Sequence, residues 1–287
     1  MTRGRNYEHT SRLCHTYPIN LLVEGHSVDS LAEIVSKHQG RRLDKWSHYL
    51  GIYEKYLSCY RGCAVTILEI GVNHGGSIDM WREYLGSRCQ YIGVDINPEC
   101  KNFETKNVQI FIGDQSDSKF LSRLADSVGN IDILIDDGGH SMIQQWTTFE
   151  VLYPRVAVPG IYICEDTHTS YFPEFGGGRN SPVSFMSRIQ RKVDSLNAWH
   201  YESHNAVDDF VRTTESMHFY DSVVVIQKRL IESPTVIAKG DIELPAPHQV
   251  RGEGFLRNSK RLIGFIRNRP SLYKFLLSVR QRLRNRK

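Results

Sequence analysis

The chain has 287 residues, 40% of them hydrophobic and 24% charged, which suits one large α/β domain with additions or two small domains. It holds no apolar run near the roughly 18 residues that span a bilayer. It begins with a polar segment instead of an apolar export signal, so we expect a cytoplasmic protein. The net charge of +4 hides an asymmetry, because residues 251–287 hold 12 Lys and Arg against one acid.

Two helices are predicted first. One lies at about 28–37, where Asp29 or Ser30 can cap it, and one over 43–60, where aromatic and apolar residues recur at helical spacing. After residue 60, short apolar runs alternate with helical patterns. Strands are predicted over 65–70, 90–94, 108–112, 131–135 and 158–164, and helices over 78–85, 118–127, 142–152 and 184–196. The stretch 217–228 predicts a hairpin.

Strands that alternate with helices indicate a parallel sheet with both faces covered. We therefore predict an α/β fold: a Rossmann-like, mostly parallel, seven-stranded sheet with helices on both faces and a late antiparallel hairpin. The predicted domains are a helical cap over 1–60, the sheet domain over 61–232 and a basic amphipathic C-terminal extension over 233–287.

Glycines and acids follow the first three predicted strands. Gly71 and Gly75 follow the first strand, where glycine lets the backbone turn tightly and approach a ligand. Asp95 ends the second strand, where a carboxylate can accept both hydroxyls of a ribose, and Asp114 follows the third, where it can meet an adenine edge. The pattern predicts a nucleotide-like cofactor at this edge. The alternative is a set of turn glycines and solvated acids in another α/β protein.

A second group of acids follows the fourth and fifth strands. Asp136 and Asp137 end the fourth strand, His140 follows three residues later, and Glu165 and Asp166 end the fifth. Crowded carboxylates repel one another unless a cation lies among them, so we expect a divalent ion, most naturally Mg²⁺. The alternatives are helix capping by the aspartates, a simple loop turn at 165–166 and a structural histidine at 140.

The motifs ExGxxxGG, IGVDI and GDQSD, over about residues 65–165, resemble those of class I S-adenosylmethionine-dependent methyltransferases. The resemblance implies that S-adenosyl-L-methionine is the cofactor, with Gly71 and Gly75 at its methionine part and Asp95 at its ribose. Asp114 and Gln115 would then meet the adenine. The predicted cofactor site also includes Lys45, Tyr49, Glu69 and Ser77.

The motif DDGGH, with Glu-Asp 25 residues after the His, resembles the metal-dependent macrolide-sugar O-methyltransferases and also the cephalosporin hydroxylase-like proteins. The segment DKWSHY at 44–49 is similar to the N-terminal region of the former. The resemblance implies that Asp137, Glu165 and Asp166 hold the metal. His140 would be the general base, and Asp136 would assist it near the cofactor or metal.

The predicted function is an S-adenosylmethionine-dependent, metal-assisted O-methyltransferase that acts on a sugar hydroxyl of a glycan or glycosylated metabolite. The alternatives are methyl transfer to a catechol-like small molecule, and a hydroxylase-like or non-catalytic protein that keeps the same site. No nucleic-acid partner is expected, because DDGGH stands where such enzymes usually carry an Asn/Asp-Pro-Pro-aromatic motif.

Two surface segments complete the prediction. The loop 167–181, with Tyr171, Phe172 and several glycines, is expected to close over the acceptor; the alternative is an ordinary surface loop. The basic extension predicts amphipathic helices that contact the inner membrane surface. Packing on the chain's own domain or on a partner, and contact with nucleic acid, are the alternatives. A homo-oligomer is a further expectation.

Overall fold

The computed structural model describes residues 29–201 and 206–240. Within these ranges, the compact unit that holds the sheet ends at Pro234. Residues 241–287 of the predicted basic extension lie outside the described residues, so its membrane contact and the predicted domain limits stay predictions. No helix of the described ranges is long and apolar enough to cross a membrane.

Seven strands and seven α-helices form the described part of the chain. The strands are β1 (Thr66–Ile70), β2 (Gln90–Asp95), β3 (Val108–Ile112), β4 (Ile131–Asp136), β5 (Val156–Cys164), β6 (Thr214–Phe219) and β7 (Val224–Lys228). The helices are α1 (Leu31–Lys37), α2 (Tyr49–Leu57), α3 (Gly76–Leu85), α4 (Ser118–Val128), α5 (Met142–Leu152), α6 (Phe185–Leu196) and α7 (Asp209–Thr213).

The seven strands form one sheet in the order β3-β2-β1-β4-β5-β7-β6. Strands β1 to β5 pair in parallel, whereas β7 pairs antiparallel with both β5 and β6. The predicted fold class and the predicted late hairpin are therefore confirmed. The strand order reverses between β1 and β4, and ligands of such sheets bind beyond the carboxyl ends of the strands at this reversal.

The strands alternate their side chains between two cores, one on each face of the sheet. Ile67 and Ile133 face the core that also holds α1, α2 and α3. Leu68 and Leu134 face the core that also holds α4, α5 and α6. Because both faces of the sheet are buried, the strands are nearly continuous apolar runs, and the sequence could therefore predict them.

The N-terminal segment differs from the prediction of one helix over 43–60. Helix α2 begins only at Tyr49, and residues 42–46 have no regular structure. This segment runs against the start of α3, where a Cβ at Gly76 would lie 2.3 Å from the carbonyl oxygen of Arg42. In this segment, Lys45 and Trp46 bond to acids at the carboxyl edge of the sheet, which a helix over 43–60 was not expected to do.

Candidate active site

The registers of the central strands bring the predicted site residues to one edge. Ile70 pairs with Asp136, and Asp136 pairs with Cys164, so Gly71, Asp137 and Glu165 follow at the same level. Gly71 has a φ of 93°, and a Cβ there would lie 2.0 Å from the carbonyl oxygen of Asp137. A glycine is required at this position because the two backbones approach too closely for a side chain.

Asp95 holds the glycine-rich turn, at the part of the edge where the sequence predicts a cofactor. Its Oδ2 atom accepts hydrogen bonds from the backbone amides of Val72 and Asn73, both at 2.9 Å. Its Oδ1 atom accepts one from the amide of Asn97 at 2.8 Å. A carboxylate offers about four acceptor positions, so Asp95 can stabilise the turn and still accept from a ligand hydroxyl.

Glu69 and Ser77 bond to each other beneath this turn. The Glu69 carboxylate is fully buried and accepts from the Ser77 hydroxyl at 2.7 Å, from the Trp81 indole at 3.2 Å and from the Tyr91 hydroxyl. Burial raises the pKa of Glu69, and the Lys45 ammonium opposes that rise. The structure thus places both residues in the support of the turn, and their contact with a cofactor stays a prediction.

Asp114 and Gln115 are neighbours in the chain with opposite environments. Asp114 is exposed and accepts from the amide and hydroxyl of Ser116, both at 2.7 Å, and these hydrogen bonds lower its pKa. Gln115 is buried; its amide donates to Asp136 at 2.6 Å and accepts from the Gly139 amide at 3.0 Å. The hydrogen bonds of Gln115 therefore stabilise the DDGGH turn. Contact with an adenine stays a prediction for both Asp114 and Gln115.

Asp136 lies beneath the DDGGH turn. Its carboxylate is fully buried, and burial raises its pKa to about 7. Its hydrogen-bond partners include Gln115 and, at 3.5 Å, the Tyr162 hydroxyl. These contacts suit a residue that positions the turn, and the predicted catalytic assistance by Asp136 stays a prediction.

Asp137, His140 and Asp166 converge above the turn. One ligand atom from each lies within 4.8 Å of the others; His140 Nε2 lies 3.4 Å from Asp166 Oδ2 and 3.9 Å from Asp137 Oδ1. All three side chains are about one-fifth exposed. The Nδ1 atom of His140 is buried without a hydrogen-bond partner among the described residues. Two carboxylates beside an imidazole, open to solvent, fit a hard divalent cation and a proton acceptor.

Both His140 and Asp166 have left-handed backbone conformations, with φ values of 56° and 51°. Such conformations cost free energy in residues other than glycine and persist only where the surroundings hold them. The Thr169 hydroxyl lies 2.8 Å from the carbonyl oxygens of both residues. Thr169 is buried and was missed by the sequence analysis, in which it was only one member of a polar loop.

Glu165 lies apart from this trio and bonds to Lys45. The Lys45 Nζ atom lies 2.9 and 3.0 Å from the two oxygens of Glu165 and 2.5 Å from Asp137. Burial, followed by the charge of Asp137, raises the pKa of Glu165 to about 8, against the effect of Lys45. Burial lowers the pKa of Lys45, but the surrounding acids outweigh it and raise that pKa well above its ordinary value. The structure thus brings Lys45 to the acids.

The N-terminal segment also holds Asp166. The Tyr49 hydroxyl donates to Asp166 Oδ1 at 2.7 Å, and the Trp46 indole donates to the same oxygen at 3.1 Å. Tyr49 was predicted at the cofactor, and the contact shown is with a predicted metal ligand. Trp46 was not predicted as a site residue, although the motif DKWSHY contained it.

The loop that follows Asp166 carries an aromatic edge. It folds into short 3-10 turns at Thr167–Tyr171 and Pro173–Phe175. The His168 ring contacts those of Trp46 and Phe172, with centroids 6.4 and 5.6 Å away. Trp46 and Phe172 are 56% and 41% exposed. Large exposed rings beside a polar cluster are typical of a binding surface.

No protein-family model matches the chain. Over 221 residues, the chain is 36% identical to 8-demethyl-8-alpha-L-rhamnosyl tetracenomycin-C 2'-O-methyltransferase of Streptomyces olivaceus. This match covers 72% of this chain and 56% of that protein. Over 230 residues, it is 31% identical to L-olivosyl-oleandolide 3-O-methyltransferase of Streptomyces antibioticus. This match covers 74% of this chain and 56% of that protein. The chain thus spans about half the length of these curated relatives.

A solved structure agrees with these relatives. It is a methyltransferase from the mycinamycin biosynthetic pathway in complex with Mg, SAH and mycinamycin VI, with a TM-score of 0.64 and 28% identity. The match covers 70% of this chain and 54% of that chain. The chain therefore has a class I methyltransferase fold and is a homologue of the macrolide-sugar O-methyltransferases over about half of their length.

Proposed function

We propose that this chain is an S-adenosylmethionine-dependent, divalent-metal-assisted O-methyltransferase that acts on a sugar hydroxyl of a glycan or glycosylated metabolite. The observation that carries the proposal is the convergence of Asp137, His140 and Asp166 at the carboxyl edge of the sheet, beside a glycine-rich turn. The relatives support it, because their names specify O-methyl transfer to rhamnosyl and olivosyl compounds.

The glycine-rich turn would hold S-adenosylmethionine. Gly71 and Gly75, both at positive φ, let the backbone approach the methionine part, and Asp95 retains an acceptor position for a ribose hydroxyl. When bound, S-adenosylmethionine supplies a methyl group on a positively charged sulfur. Glu69 and Ser77 would act from beneath by keeping the turn in place.

The carboxylates of Asp137, Glu165 and Asp166 would hold the cation. Mg²⁺ prefers oxygen ligands, so Glu165 suits the ligand set better than His140 does, and His140 keeps its imidazole for proton transfer. When bound, the cation supplies positive charge that favours the deprotonated form of a hydroxyl.

His140 would then act as the general base. Its Nε2 atom faces the same small volume as the oxygens of Asp137 and Asp166, so a hydroxyl held there lies within reach of the imidazole. His140 would accept the proton of that hydroxyl, and S-adenosylmethionine, when bound, would supply the methyl group for the oxygen. The exposed rings of Trp46 and Phe172 would pack against the acceptor and exclude water from the transfer.

The test is methyl transfer from radiolabelled S-adenosylmethionine to a rhamnosylated or olivosylated polyketide. We expect label in the sugar, with the methyl position located by mass spectrometry, loss of transfer in excess chelator, and its return with Mg²⁺. Full transfer in excess chelator would contradict the metal role. Calorimetry without an acceptor separates the other cases: no binding of S-adenosylmethionine refutes the proposal, whereas binding without transfer to any glycoside refutes only the acceptor class.

A further inference from the structure

The ammonium group of Lys45 lies within the carboxylate cluster. Its Nζ atom lies 2.5 Å from Asp137, 2.9 and 3.0 Å from the two oxygens of Glu165 and 3.8 Å from Glu69. The Lys45 side chain is only 3% exposed. Acids of the protein, rather than water, therefore neutralise this charge, as a buried ammonium requires.

Two of these acids are also proposed metal ligands. Both oxygens of Glu165 contact the ammonium, whereas Asp166 bonds to Trp46 and Tyr49. Among the described residues, the acidic and imidazole atoms that lie close enough to share an ion come from Asp137, His140 and Asp166, without Glu165. Glu165, which the resemblance implies is a metal ligand, thus bonds to Lys45 and lies outside the group of atoms that could share an ion.

A divalent cation that binds Asp137 and Glu165 would have to use carboxylates that already bond to this ammonium. Both oxygens of Glu165 and Oδ2 of Asp137 accept hydrogen bonds from Lys45, whereas Oδ1 of Asp137 lies toward His140. An ion that binds both acids directly would therefore compete with Lys45 most strongly at Glu165. The two positive charges would also repel each other strongly, because a buried pair is screened little by water and salt. Nothing comparable applies to Asp166, whose donors Trp46 and Tyr49 are uncharged.

We propose that Lys45 competes with the divalent cation for Asp137 and Glu165, and that its ammonium leaves Glu165 when the cation binds. Lys45 thereby sets the affinity of the site for metal. It also neutralises part of the negative charge of Glu69, Asp137 and Glu165, which lie around it. The inference rests on the metal site of the proposed function and gives Lys45 a role distinct from cofactor contact.

The test titrates Mn²⁺ into the chelator-treated full chain and follows free Mn²⁺ by electron paramagnetic resonance. Lys45→Met keeps the chain length of the side chain but removes its charge, and should bind Mn²⁺ at least about tenfold more tightly than the parent. Lys55→Met removes the same charge from an exposed position on α2 and should leave the affinity unchanged. Equal or weaker binding by Lys45→Met overturns the inference. Binding by neither protein contradicts the metal site itself.

If circular dichroism shows that Lys45→Met does not fold, a second measurement, on the parent protein, tests the inference. The parent protein is treated with acetic anhydride with and without saturating Mn²⁺, and acetylation of Lys45 and Lys55 is followed by mass spectrometry. A displaced Lys45 should react faster when Mn²⁺ is present, while exposed Lys55 should react at the same rate in both. Unchanged or slower acetylation of Lys45 overturns the inference.

Discussion

The two halves of the sheet's carboxyl edge hold their acids in different ways. In the half that is proposed to bind the cofactor (the cofactor half, around Asp95 and the glycine-rich turn), Asp95 bonds to the backbone of the turn at Val72, 23 residues away in the chain. In the reactive half, Asp137 bonds to Lys45 across 92 residues, and Asp166 bonds to Trp46 across 120 residues. The turn that Asp95 holds is thus built within one β-α-β unit, whereas the acids of the reactive half meet their partners only after the N-terminal segment docks. We therefore expect substitutions to affect the two halves separately.

The largest separation should come from His140→Gln. The variant loses the proton acceptor but keeps a polar side chain of similar reach, so we expect the rate of methyl transfer in a single turnover to fall about 10²- to 10⁴-fold. Binding of S-adenosylmethionine, measured by calorimetry, should change little. An unchanged rate would remove the base role of His140. Loss of cofactor binding together with the rate would contradict the separation of the two halves.

Asp95→Ala tests the cofactor half. The variant removes the acceptor for a ribose hydroxyl and for the amides of Val72 and Asn73, so binding of S-adenosylmethionine should weaken by about 2–3 kcal/mol. The affinity for Mn²⁺ should stay at the parent value. Asp126→Ala, on the exposed surface of α4, is the matched control. Equal calorimetric affinities for Asp95→Ala and the parent would exclude a ribose contact.

The cofactor half could be predicted from the sequence because its signals are local. The apolar runs of β1 and β2 mark buried parallel strands, and strands that run in parallel end at the same edge. Gly71 follows β1 directly and Asp95 ends β2, so their positions could be predicted without knowledge of packing. The same reasoning placed Asp137 and Glu165 side by side, as the register confirms.

The partners of these residues could not be predicted in the same way. Asp114 and Gln115 are adjacent in the sequence, and only the conformation of the turn decides that Gln115 is buried against Asp136. Lys45 lies in a segment whose spacing predicted a helix, and its contact with Glu165 depends on how that segment packs against α3. The motif DKWSHY indicated that the segment resembles the N-terminal region of the macrolide-sugar enzymes, but it did not specify which acid each side chain would contact.

Thr169→Val should produce a moderate effect in the reactive half. Valine has nearly the same shape as threonine, but it removes the hydroxyl that bonds to the carbonyl oxygens of His140 and Asp166. The free energy of unfolding, from urea denaturation, should fall by about 1–2 kcal/mol, and Mn²⁺ binding should weaken. Thr147→Val, a partly exposed position on α5, should do neither. A variant as stable as its parent would show that the left-handed backbone at His140 and Asp166 needs no support from this hydroxyl.

Trp46→Phe should give the smallest effect, and it tests most directly whether the N-terminal segment serves the reactive half. Phenylalanine keeps an aromatic ring beside His168 but lacks the N–H group that donates to Asp166. Groups that orient metal ligands commonly contribute 10- to 100-fold to metal affinity. The effect should be smaller here, about two- to fivefold, because Tyr49 donates to the same oxygen and Trp46 is 56% exposed. Trp146→Phe, which removes an indole N–H on α5, should leave Mn²⁺ affinity unchanged, and both variants should bind S-adenosylmethionine like the parent. Weaker cofactor binding by Trp46→Phe, with metal affinity intact, would assign the N-terminal segment to the cofactor half and reverse the comparison.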